Sequence, residues 1–235
     1  MCELGFIEQL EGLLGEGDYL PELLFVLREP NCDNETNFWF KKDVVRKAYD
    51  GNMEQELKGS KKRYFNILSI IARKVFGVGE EDKFVFDRCA YMNLHPFRGG
   101  SESSKEYKGI LKVAKKMSIE KYEDSIVGID RESKPNEIAA NRIGIIKRAI
   151  DNGVKNLVTT EDIYDAIKKV WNVQEKDQDH YILEYNFNDG RENPKKKRFQ
   201  VCYIGENKQI RVISFWHPSC TLINQTYLNK IHIPE

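Results

Sequence analysis

Leu23-Leu24-Phe25-Val26-Leu27, followed by Arg28-Glu29-Pro30-Asn31, is the stretch that decides how this chain folds. Five consecutive apolar residues suit a buried strand, and the polar, proline-containing tail turns that strand into a loop. Outward from it, short apolar runs alternate with helical spacing. Phe65, Leu68, Ile71, Ala72, Val75 and Phe76 recur at helical intervals within residues 64–78, and Gly77 and Gly79 end that helix. The pattern then predicts a strand over 84–94, broken by His95-Pro96, and helices over 104–117 and 136–150, the second closed by Asn152-Gly153. Residues 155–160 read as a third strand running straight into a helix over 161–171. Segments 181–187 and 199–205 alternate apolar and polar residues around an Asn-Asp-Gly turn, a hairpin inserted before a last strand over 210–216.

Strands alternating with helices at this spacing predict an α/β fold: a three-layer α/β/α sandwich with a central, mostly parallel sheet and an inserted β-hairpin at 181–205. Residues 1–235 read as one domain. In such sheets the working residues sit in loops beyond the carboxyl ends of strands. That rule nominates residues 28–37, 93–104 and 217–222.

Composition narrows the class. Hydrophobic residues are 40% and charged residues 31%, and 37 bases balance 37 acids, which argues against a generally basic nucleic-acid coat. The balance is not local. Residues 1–37 hold nine acids and one base, residues 38–76 ten bases and four acids, and residues 194–211 six bases and one acid. Such asymmetry marks either a binding face or solvated helix faces. No apolar run could span a membrane, and the acidic amino terminus is unlike a signal peptide, so no membrane partner and a cytoplasmic location are expected. Five scattered cysteines without a Cys-x-x-Cys pair argue against a disulfide scaffold, a zinc site or an iron–sulfur cluster. P-loop, dinucleotide, His-Glu-x-x-His and Gly-x-Ser-x-Gly signatures do not occur.

The nominated loops read Leu-Arg-Glu-Pro-Asn (27–31), Tyr-Met-Asn-Leu-His-Pro-Phe-Arg-Gly-Gly (91–100) and Phe-Trp-His-Pro-Ser (215–219). In that order, each after an expected strand, they resemble the motifs of the uracil-DNA glycosylase superfamily, over about residues 23–228. The resemblance implies a monofunctional DNA glycosylase of base excision and repair, without metal or other cofactor, acting on DNA and monomeric.

The chemistry asks for these residue types. Breaking a base–deoxyribose bond leaves negative charge on the pyrimidine and positive charge on the sugar. His217 is the candidate donor to the developing anion, and Glu29 holds the place of the carboxylate beneath the sugar. Asn93 offers one donor and one acceptor to a pyrimidine edge, with Asn31 and Ser219 also in the expected substrate site. A flipped base needs a flat surface, which Trp39 and Phe40, beside Phe38, supply. Arg98, Gly99 and Ser101 suit a phosphate at a helix start, and Lys195, Lys196, Lys197 and Arg198, expected at the hairpin turn, suit a strand backbone.

Competing structural roles stand beside these. Glu29 fits a solvated loop acid, Asn93 a residue satisfying loop backbone, His217 a core histidine, and His95 a turn residue before Pro96. The aromatics fit the core. Three departures from the family pattern are clear. Glutamate at position 29 replaces the usual aspartate, asparagine or alanine, Cys220-Thr221-Leu222 stands where a proline and leucine wedge is common, and the hairpin has no counterpart in compact relatives. Asn31 in place of a bulky aromatic implies room for substituted pyrimidines, including modified bases of viral DNA. The runner-up function is a non-catalytic nucleic-acid- or nucleotide-binding protein of the same fold.

Overall fold

The computed structural model describes residues 21–28, 60–82, 85–96, 103–121, 128–130, 132–174, 183–186, 196–215 and 233. Among the described residues six strands form one sheet in the order β2-β1-β3-β6-β5-β4. They are β1 (Leu23–Leu27), β2 (Cys89–Asn93), β3 (Asn156–Thr160), β4 (Leu183–Asn186), β5 (Lys196–Ile204) and β6 (Ile210–Phe215). The helices are α1 (Ser60–Phe76), α2 (Ser103–Ala114), α3 (Pro135–Asp151) and α4 (Glu161–Val170). β1 runs parallel between β2 and β3, and β6 runs parallel beside β3. β5 is antiparallel to β6, and β4 to β5. The fold is thus an α/β sandwich with a mostly parallel sheet, as the alternation of elements implied.

The strand order explains the layers. The chain steps outward from β1 to β2, then crosses back over β1 to reach β3. Right-handed crossovers in opposite directions must lay their helices on opposite faces. The core divides accordingly. On one face α1 packs Ile67, Leu68, Ile71 and Val75 against Leu23, Phe25, Cys89, Val158 and Ile213. On the other, α2, α3 and α4 pack Ile110, Ile143, Ile146, Ile163 and Ile167 against Leu24, Val26, Met92, Leu157 and Val212. β1 is buried at all five positions because it has a helical layer on each side, which is why it reads as an unbroken apolar run.

Local chemistry fixes the helix ends. Pro135 opens α3, and the Lys134 N–H donates to Glu137 Oε2 at 2.6 Å. At the other end Gly153, at φ +110°, lets its own N–H reach Ile150 and the Val154 N–H reach Ala149. In α4 that left-handed place is filled by Asn172 at φ +51°.

Two expected elements differ. Residues 84–94 are not one strand: Val85–Arg88 is a 3-10 turn and β2 starts at Cys89. Arg88 is held at that junction by Glu22, Nε to Oε1 at 2.8 Å, and by the Phe76 ring, 3.8 Å away, so the chain turns before it extends. The hairpin before the last strand joins the sheet through β5 and β6, and its pairing Asn186↔Lys196 through Glu184↔Arg198 puts Lys196, Lys197 and Arg198 inside β5 rather than at the turn. Among the described residues no helix is long and apolar enough to cross a membrane.

Candidate functional site

Parallel pairing aligns strand ends. Leu27 sits beside Asn93, Val26 beside Thr159, and Thr160 beside Phe215, so β1, β2, β3 and β6 all finish along one edge. In sequence the three nominated segments follow β1, β2 and β6. The turn of direction in the strand order falls between β1 and β3, where open α/β sheets place their crevice.

Asn93 is the last residue of β2 and is fully buried. Its Oδ1 accepts from the Tyr91 hydroxyl at 2.9 Å. Tyr91 and Asn93 lie two apart on the strand, hence on one face, so the phenol fixes the amide's orientation. The expectation of a surface loop at position 93 is therefore corrected: the β1–β2 ladder continues past it, with Leu94 N–H donating to Leu27 and His95 N–H to Arg28. Asn93→Asp would bring a charge into that buried position. The variant is expected to lose stability by about 1–3 kcal/mol as well as any base reading, checked by urea midpoints beside activity. Tyr91→Phe, which leaves the amide intact, should cost about 1 kcal/mol.

His95 lies in the bend before Pro96, and its side chain is buried there. Its ring is 1% exposed, with Nε2 3.2 Å from Glu106 Oε2 in the first turn of α2.

Among the described residues a polar cluster forms around Asp162, of whose members only Arg28 falls in a nominated segment. Asp162, at the second position of α4, accepts from Thr160 Oγ1 at 2.6 Å and from the Tyr107 hydroxyl at 2.7 Å. Arg28 reaches it with Nη2 at 2.9 Å from Oδ2 and Nε at 3.4 Å from Oδ1. The guanidinium also lies 5.7 Å from the Tyr107 ring centre. Burial pushes the Asp162 carboxyl upward, but hydrogen bonds from Thr160 and Tyr107 and the charge of Arg28 outweigh it, leaving the group below its ordinary value. For Arg28, burial works against the charge and Asp162 more than compensates, so its pKa is raised. Burial, then the Asp162 charge, keeps the Tyr107 phenol protonated. The amino end of α4 adds a favourable dipole for the carboxylate.

This cluster sits on the β1–β3 crevice and ties the residue before Glu29 to α2 and α4. The signal that could have found it was the direct passage from Thr160 to Glu161, which brings a fourth strand end to the same edge with no loop to nominate. Of the other expected site residues, Glu29, Asn31, Trp39, Phe40, Arg98, Gly99, Ser101, Lys195, His217 and Ser219 lie outside the described residues. Among the described residues no three His, Cys, Asp or Glu side chains converge as a metal site. No protein-family model matches the chain, and no curated protein is significantly similar to it.

Proposed function

We propose that this protein is a monofunctional DNA glycosylase that hydrolyses the N-glycosidic bond of a flipped-out uracil or modified pyrimidine. The observation that carries the reading is the alignment of strand ends: β1, β2 and β6, after which the three family-like segments follow, finish along one edge, and β2 finishes on Asn93. In this mechanism Asn93, oriented by Tyr91, reads the base from the floor of the crevice. Glu29 faces the sugar as it gains positive charge, and His217 donates to the pyrimidine oxygen as it gains negative charge. The Arg28–Asp162 pair holds the start of the Glu29 loop.

Oligonucleotides carrying single modified pyrimidines, incubated with protein and EDTA and then treated with alkali, test the reading. Cleavage that needs alkali and survives EDTA is the expected result. Retarded migration without abasic sites on any substrate would instead establish the non-catalytic binding protein.

DNA binding by such an enzyme should weaken linearly on a log–log salt plot, by about 0.9 in slope per duplex phosphate contacted. Replacing Lys195, Lys196, Lys197 and Arg198 with glutamine should make the slope shallower and weaken all sequences alike. An unchanged slope would remove that segment from the phosphate track.

A further inference from the structure

Helix α2 carries a feature that the crevice does not use. From Ser103 to Lys116 the chain holds five lysines and one acid, Glu106. At 3.6 residues per turn Lys105, Lys108 and Lys112 fall within an arc of about 60°. The chain keeps turning past Ala114, with the Lys115 N–H donating to Leu111 and the Lys116 N–H to Val113, so Lys116 follows one turn on. Lys105, Lys108, Lys112 and Lys116 are all exposed. Tyr107, Ile110 and Ala114 take the opposite side and are buried in the core. A stripe of ammonium groups therefore faces outward over about 16 Å, at about 1.5 Å of rise per residue.

Helix stability alone does not favour this stripe. Lys105 with Lys108, Lys108 with Lys112 and Lys112 with Lys116 are like charges three or four residues apart, each pair mildly destabilising. Lys105 also stands in the first turn, where the helix dipole disfavours a cation. Among the described residues no carboxylate lies within ion-pair distance of these four lysines. Glu106, the helix's own acid, is engaged by His95 at 3.2 Å. Four uncompensated charges on one face suit an external polyanion.

The stripe starts at the carboxyl edge. Its first turn is tied there twice, by Glu106 to His95, two residues past the end of β2, and by the Tyr107 hydroxyl to Asp162 at 2.7 Å. Duplex DNA carries about one charge per 1.7 Å of axis, so a track of about 16 Å meets several phosphates. Lysines on long stems meet them as point charges that position a duplex without reading its bases. We infer that the exposed lysine face of α2 is a docking surface for the backbone of duplex DNA, flanking the nucleotide that enters the carboxyl-edge crevice. Nucleic acid as the partner is common to the excision and binding-protein readings, and the surface rests on that partner alone.

Fluorescence anisotropy of the full chain on an unmodified duplex, across a salt series, tests it. Lys108→Gln combined with Lys112→Gln should make the log–log slope shallower by about 1.8 and weaken binding about tenfold or more near 0.1 M salt. Glutamine forms helix about as well as lysine, so the fold should be kept. Lys155→Gln combined with Lys208→Gln removes the same charge from exposed positions at the opposite edge, and should leave the slope unchanged. Equal slopes in the two double variants would overturn the docking surface while leaving the glycosylase reading standing, and would turn the stripe toward an acidic protein instead. Absence of salt-dependent duplex binding by the native chain would overturn both. The expected slopes without abasic sites on any substrate would uphold the surface and remove excision.

Discussion

His217→Ala is expected to slow single-turnover excision by about 10²–10³-fold, and Glu29→Gln by about 10²-fold or more. The reason is charge separation. In the proposed mechanism electrons collect on the pyrimidine oxygen as the glycosidic bond lengthens, and an imidazole N–H held there would need no reorganisation to receive them. Glu29→Gln keeps the side chain's shape but removes the charge that the proposed mechanism sets against the sugar, so substrate binding should persist while the chemical step falls. The two losses should combine to less than their product, because both groups act on one transition state. Gel quantification on a responsive oligonucleotide measures each rate. Undiminished rates in both variants would falsify the assigned mechanism.

Asp162→Ala should be the most damaging change in the described site, lowering unfolding free energy by about 2–4 kcal/mol. The loss comes mainly from stranding the Tyr107 and Thr160 hydroxyls. Arg28 is half exposed, with its side chain at 49%, so solvent screens much of the ion pair itself. For a chain of this size the melting temperature should fall by about 2–4 °C per kcal/mol. The pH dependence has a definite sign. The folded Asp162 carboxyl titrates below its ordinary value of 3.8, so its contribution is complete above that value and fades as pH falls through the lower, folded one. The stability gap between the native protein and the alanine variant should therefore be flat from about pH 5 upward and shrink below about pH 4. A gap that widens in acid would mean that Asp162 is not held ionised by its partners. Stability intact at every pH would make the cluster incidental.

Much of the architecture was legible because strands buried on both faces must be apolar throughout. Leu23–Leu27 has that pattern, whereas β3 shows it only at Leu157 and Val158, between Asn156 and the buried Thr159 and Thr160 that lead into α4. The start of β2 was hidden because Val85 and Phe86 read equally well as strand or turn. What separates them is Arg88, whose partners Glu22 and Phe76 are distant in sequence. The placement of Lys196, Lys197 and Arg198 was missed for a related reason. Turn chemistry at Asn188-Asp189-Gly190 suggests where a hairpin bends, but the register Asn186↔Lys196 is set by pairing along the sheet. At the site, motif residues announce themselves by type and spacing. Asp162 does not, since an acid in the first turn of a helix is what any helix favours. Its meaning comes from Arg28, 134 residues earlier, and only the sheet brings them together.

The place of β1 between β2 and β3 also governs the order in which the molecule can assemble. Its inner neighbour is β3, and the bond from Asn156 to Glu22 closes 134 residues of chain. At ribosomal rates of about 5–20 residues per second, roughly 7–27 s pass between synthesis of the two strands. Through that interval Leu23–Leu27 can pair with β2 on one side, while its other edge stays open to whatever strand it meets. Nascent chains halted between residues 100 and 150 should accordingly be the species that aggregate or recruit chaperones, and release past residue 160 should end that exposure.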